Sequence, residues 1–166
     1  MLKNTLYFIC PTDNLESIIN NRLKGHNYFY TSLGNTFCID ETSIKQIAEL
    51  IQKKEITEIS FVLSEDNSIA LDALSSQNFS KIRGLKESYK KFNNHKKNVM
   101  DSWKTYNYHT LILSYHLNQK IRELEIGLLK YFSNQPKIKG KLYSKPYNSF
   151  RNVYSNLICI KSNSLN

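Results

Sequence analysis

The 166-residue chain contains no run of 18 or more apolar residues, so no transmembrane helix is expected and a membrane is not among its expected partners. The amino terminus, Met1-Leu2-Lys3-Asn4, lacks the small-residue cleavage site of a signal peptide and reads straight into a strand. Cysteine is scarce. Cys10, Cys38 and Cys159 form an odd, unpatterned set, which fits a reduced, cytoplasmic protein better than a disulfide scaffold. Arginine is scarcer than the charge suggests. Of the 23 basic residues only four, Arg22, Arg83, Arg122 and Arg151, are arginine. Acidic residues number 14, giving a net charge of +9. A polyanion such as nucleic acid is one reading of that charge. Lysine and asparagine are enriched throughout, however, and the forked phosphate reader is the residue in short supply. Nucleic acid therefore stays open but is not favoured.

What is present supports a folded domain. Apolar residues make up 40% of the chain and aromatics 12%, which excludes a disordered polymer. No internal repeat or low-complexity linker divides it, so residues 1–166 read as one α/β domain. The first half alternates strand and helix. Thr5-Leu6-Tyr7-Phe8-Ile9 is a strand. Asp13-Asn14-Leu15-Glu16 then has capping-box spacing, with Leu15, Ile18, Ile19 and Leu23 on one helical face. Lys24-Gly25 ends this helix, with Gly25 as its left-handed cap. A second strand covers residues 27–31. Asp40 or Thr42 caps a helix whose buried stripe is Ile44, Ile47, Ala48 and Ile51. A third strand at 58–63 is apolar enough to be buried on both faces, as parallel strands are. A helix from Ser68 carries Ile69, Ala70, Ala73 and Leu74.

The second half is different. Ile82, Leu85, Tyr89 and Phe92 predict a helix over 79–94. A long helix within 108–132 carries Leu117, Ile121, Leu124, Leu128 and Tyr131, and Pro136 ends it. Residues 138–143 and 150–154 read as a hairpin around Lys145-Pro146-Tyr147-Asn148. Strand-helix alternation implies crossovers and a parallel sheet. The expected fold is thus a mostly parallel central sheet with helices on both faces. In such sheets ligands sit beyond the carboxyl ends of neighbouring strands. Here those ends are Cys10-Pro11-Thr12-Asp13-Asn14 and Ser64-Glu65-Asp66-Asn67-Ser68.

Element order and turns together resemble the β-class carbonic anhydrases over residues 4–157. That family has Cys-x-Asp-x-Arg after its first strand, an Arg-x-x-Gly-Asn-like turn after the second and His-x-x-Cys after the third. The turn Thr31-Ser32-Leu33-Gly34-Asn35 is the closest match. The helix at 43–52 leading into Glu55-Ile56-Thr57-Glu58-Ile59 is similar to the family's approach to its third strand. So is Lys137-Ile138-Lys139-Gly140-Lys141-Leu142-Tyr143 to the strand after the long helix. The resemblance implies strand order 2-1-3-4, an antiparallel edge strand and a homodimer, though one lacking the family's N-terminal helical arm.

The family's catalytic residues do not carry over. Cys10 matches a zinc-binding cysteine, but Thr12 stands in place of the aspartate and Asn14 in place of the arginine. Ser64 replaces the histidine ligand, Asn67 replaces the second cysteine, and Asp66 falls between them. The second-strand arginine is Thr31 or Ser32. Catalytic zinc needs three protein ligands and an open water position, and serine and asparagine are poor ligands for it. No zinc, and no other cofactor, is expected. His26, His95, His109 and His116 lie outside the matching positions. His109 and His116 are seven apart and could share a face, yet all four read as surface histidines. Cys38 could approach Cys10, without a third ligand.

The leading expectation is a carbonic-anhydrase-like protein with a degenerate zinc site, acting by binding or regulation. Its candidate cleft is Cys10, Thr12, Asp13, Asn14, Ser32, Gly34, Asn35, Ser64, Asp66 and Asn67. Backbone N–H groups near Asp13 and Ser68 could hold a small anion or metabolite there, although Asp13 and Asp66 would oppose an anion. The alternative in the same cleft is an enzyme using Cys10 as nucleophile and Asp66 as acid or base. The third reading is a basic surface: Arg83, Lys86, Lys90 and Lys97 line one side of the 79–97 segment, which otherwise reads as a solvated flank. The eleven tyrosines are better explained by core packing than by base stacking.

Overall fold

The computed structural model describes residues 3–102 and 108–153, with the side chains of 98–102 set aside. Five strands, β1 (Asn4–Ile9), β2 (His26–Thr31), β3 (Glu58–Ser64), β4 (Lys137–Ser144) and β5 (Ser149–Asn152), form one sheet in the order β2-β1-β3-β4-β5. The first three pairings are parallel and β4–β5 is antiparallel. This is the predicted order and edge. Every residue of β3 is buried, because it sits at the centre of the sheet with cover on both faces.

The helices are α1 (Leu15–Arg22), α2 (Glu41–Lys53), α3 (Ser68–Leu74), α4 (Leu85–Ser102) and α5 (Tyr108–Leu128). The strand period of two divides the core unequally. Leu6 and Phe8 of β1, with Ile59, Phe61 and Leu63 of β3, join α2, α3, α4 and α5 in the larger cluster. Tyr7, Ile9 and Val62 face the other way and pack with Leu15 and Ile19 of α1. Phe8 is the centre of an aromatic group, with ring centroids 4.6 Å from Phe37, 4.7 Å from Phe61 and 5.1 Å from Tyr30.

The α2 stripe and its cap are as predicted: Asp40 accepts the Ser43 N–H at 2.8 Å, and Ile44, Ile47, Ala48 and Ile51 are buried. Three boundaries differ. The helix predicted from 79 begins at Leu85. Gly84, at φ +90°, breaks the run before it and leaves Ile82 43% exposed. α5 ends at Leu128, well short of Pro136. α1 ends at Arg22 through an extended Leu23, so Gly25 is not a left-handed cap. Gly25 sits at φ +137°, and a Cβ there would lie 2.3 Å from the Lys3 carbonyl oxygen, so the position requires glycine. The hairpin is present at 144–149, and Tyr154 lies outside the described residues.

Candidate functional site

The ends of β1 and β3 are adjacent, as their parallel pairing requires. A short 3-10 turn, Pro11–Asp13, follows β1 and a second, Leu33–Asn35, follows β2. Asn67 caps α3 by accepting the Ala70 N–H at 2.9 Å. These three turns bring the ten predicted cleft residues into one region.

Asp13 is the centre of that region. The capping box predicted for it does not form: Asn14, at φ 54°, occupies the N-cap of α1 and no side chain caps that helix. Asp13 instead turns across the sheet, only 4% exposed. Its Oδ2 accepts the Ser64 N–H at 2.8 Å and its Oδ1 accepts the Asn67 amide at 2.8 Å. Burial raises its pKa, outweighing the Ser64 and Asn67 hydrogen bonds that favour the anion. Asn67 is fully used, donating to Asp13 and accepting from Ala70.

Around this bridge the other residues are engaged. Cys10 is wholly buried; its Sγ accepts the Gly34 N–H at 3.1 Å and lies 3.0 Å from Thr12 Oγ1. Ser64 Oγ donates to Asp66, whose other oxygen pairs with Lys145 at 2.9 Å. Burial would raise the Asp66 pKa, but the Ser64 and Lys145 contacts prevail and hold it below the usual range. Asn35 donates to the Val62 carbonyl at 2.8 Å. Its own Oδ1 and the Ser32 hydroxyl are buried without a hydrogen-bond partner among the described residues. A shallow depression of about 320 Å³ opens beside Cys10, walled by Pro11, Asn14, Leu15 and Glu16.

Two histidine readings need correction. His95 and His116 are buried, at 5% and 1% exposure, because α4 and α5 pack their faces together over the sheet. His116 stacks on Phe92 with centroids 4.3 Å apart, and its Nε2 is 3.0 Å from the Gly34 carbonyl. A carbonyl only accepts, so Nε2 carries the proton. His109 is half-buried, and His26 alone is exposed. Cys38 is also exposed while Cys10 is buried, and both are free thiols, so the two do not form a pair. Cys159 lies outside the described residues. Arg83, Lys86, Lys90 and Lys97 are all exposed, as on a solvated flank.

Zinc does not fit this donor set. Ser64 and Asn67 offer a hydroxyl and an amide, both already hydrogen-bonded, and the nearby carboxylate of Asp13 is tied to two donors. Among the described residues no three His, Cys, Asp or Glu side chains group as metal ligands. Neither the bridge through Asp13 nor the His116–Gly34 bond was foreseen. Each joins residues more than 50 apart; the first leaves one trace in sequence, a polar residue just past a strand end, and the second leaves none, since His116 lies within α5.

No protein-family model matches the sequence, and no curated protein does. Solved structures do. The β-carbonic anhydrase CafA of Aspergillus fumigatus superposes with a TM-score of 0.72 at 11% identity, over 96% of this chain and 80% of that one. Wild-type CafD of the same fungus gives 0.69 at 15% identity, over 92% and 90%. The Coccomyxa β-carbonic anhydrase, solved with acetazolamide, gives 0.69 at 11% identity, over 92% and 72%. At these identities the likeness is one of architecture. The chain has the β-carbonic anhydrase fold.

Proposed function

We propose that this chain is a carbonic-anhydrase-fold protein without a zinc site, acting by binding and not by hydrating carbon dioxide. One observation carries the reading. The side chains beyond the strand ends are spent on one another, with Asp13 and Asn67 locking the end of β1 to the end of β3 and the start of α3. Carbon dioxide hydration on this fold needs a metal to bring the pKa of a bound water down to about 7. The residues at hand supply neither the ligands nor the vacancy.

The same network speaks against a cysteine enzyme. The Cys10 thiol is wholly buried and hydrogen-bonded, and Asp66, its suggested acid–base partner, is held by Ser64 and Lys145. It also narrows the room for an anion at the strand ends, since the Ser64 and Ala70 N–H groups already have acceptors. What remains for a small ligand there is the depression beside Cys10. Self-association belongs to the proposal too. A structural neighbour from Sordaria macrospora is described as tetrameric, and we read this chain as a homodimer, which sedimentation of the purified protein checks.

The decisive experiment is metal analysis of protein grown with zinc and then treated with chelator, alongside stopped-flow carbon dioxide hydration. The expected outcome is zinc far below one per chain and hydration at background. Stoichiometric zinc that survives the chelator overturns the proposal.

A further inference from the structure

Helices α4 and α5 leave between them a cleft of about 360 Å³. None of its walls belongs to the strand-end region. Lys91, Asn94 and His95 line it from α4, and Tyr115, Gln119 and Arg122 line it from α5. On each helix these positions recur three or four residues apart, so both helices turn one polar strip toward the same space.

Three features set this cleft apart from an ordinary solvent-filled groove. The first is His95. The residue is only 5% exposed, its ring is tilted against Tyr115 at 4.7 Å, and its Nε2 is buried with no hydrogen-bond partner among the described residues. A buried polar atom left without a partner is uncommon in native proteins and needs an explanation. The second is charge. Arg122 is exposed and has no ion pair among the described residues, while Lys91 shares the single carboxylate of Glu123 with Lys120, at 3.4 and 3.0 Å. Two cations, Lys91 and Arg122, thus line the cleft, and no carboxylate does. The third is size. The volume lies at the lower end of small-ligand pockets, roughly 300–1,000 Å³. It is about tenfold the share of one water molecule, so a single water on His95 would leave most of it unfilled.

We propose that the α4–α5 cleft binds a small organic oxyanion, a carboxylate or a phosphate ester of metabolite size. Arg122 is the unpaired fork that matches such a group, and Lys91 adds a second positive charge. The Asn94 and Gln119 amides supply neutral donors, and the imidazole of His95 receives its missing partner from the ligand. Burial, and after it the nearby Lys91 charge, hold the His95 pKa down to about 4. The ring is therefore neutral at pH 7, with one N–H donor and one acceptor nitrogen. This proposal does not depend on whether zinc binds at the strand ends, so the two readings fail separately.

The test is titration of the full chain with succinate and, separately, with glycerol phosphate. Calorimetry reads affinity and the ring signals of isotope-labelled histidines read position. At least one probe is expected to bind saturably and to move the His95 signals more than those of His26. Succinate alone identifies a carboxylate site, and glycerol phosphate alone a phosphate site. Arg122→Ala is expected to weaken binding about tenfold or more, the scale of one charge-assisted hydrogen bond, and His95→Phe to weaken it while keeping the ring packing. Lys86→Ala with Lys90→Ala, on the outer flank of α4, should leave affinity unchanged. The proposal is overturned if neither probe saturates, if the His95 signals stay still, or if the flank variants weaken binding as much as Arg122→Ala.

Discussion

Replacing Asp13 by alanine should destabilise the fold by about 2–4 kcal/mol. The substitution strands two buried donors, the Ser64 N–H and the Asn67 amide, each now 2.8 Å from a carboxylate oxygen. An orphaned buried donor costs about 1–3 kcal/mol. Some of that loss is offset, because the buried carboxylate carries its own desolvation cost, seen in its raised pKa. Asparagine is no safe substitute. Asn67 cannot turn its amide around, since its Oδ1 is held by the Ala70 N–H. The new amide nitrogen of Asp13→Asn must therefore face a donor, and this variant should lose about 1–3 kcal/mol. Combining Asp13→Ala with Asn67→Ala should cost less than the sum of the two by about 1 kcal/mol or more, because the residues share one network. Urea denaturation at constant m reads all of these. The pH dependence has a definite sign. Aspartate ordinarily titrates near about 3.9, and Asp13 does so higher when folded. Between those two values the native state holds the extra proton. Wild-type stability relative to Asp13→Ala should therefore be greatest below about 3.9 and fall as pH rises to the folded value. Asp13→Ala within about 0.5 kcal/mol of wild type, or strict additivity with Asn67→Ala, would refute the bridge as a structural lock.

Two further outcomes follow from neighbouring groups. Gly34→Ala should cost about 1–3 kcal/mol in urea denaturation, since φ is +61° and the new Cβ would meet Ile69 at 3.0 Å; Gly84→Ala, at φ +90° with nothing within 4 Å of its Cβ, should cost about 1–2 kcal/mol from backbone strain alone. His95 and His116 are held neutral, with pKa values lowered to about 4 and about 3, by burial first and then by each site's charged neighbours. Unfolded histidine titrates near about 6.5, so the unfolded chain binds more protons below that value, and stability should drop by up to about 1.4 kcal/mol per pH unit for each ring as pH falls from about 6.5 toward about 4. His95→Phe should remove one of these two contributions; an unchanged slope in denaturation series run across that range argues against it.

The parts of the fold set by local pattern were readable in the sequence. Ile44, Ile47, Ala48 and Ile51 recur at helical spacing behind an aspartate cap, and both signals act within a few residues. The apolar run of β3 announced burial on both faces. Strand order came from the resemblance, through the Gly34-Asn35 turn and the succession of elements, and not from composition. What was missed depends on partners remote in the chain. Asp13 has the spacing of a helix cap, yet Ser64 and Asn67 compete for its carboxylate from across the sheet and win. His116 sits seven residues from His109, which says that they could share a face but not that α4 and β2's following turn would bury it. Ile82 matches the apolar period of α4, but Gly84 breaks the backbone before the period can take hold.

The lock between Asp13, Ser64 and Asn67 also bears on how this chain meets a changing environment. A protein whose strand ends are drawn together by a bound ion carries that ion's concentration in its folding equilibrium, since whatever binds only the native state stabilises it by mass action. Here the same ends are joined by side chains the polypeptide brings with it. On the proposal that no zinc binds at these ends, the folding equilibrium carries no metal term, and metal starvation should leave the folded fraction unchanged.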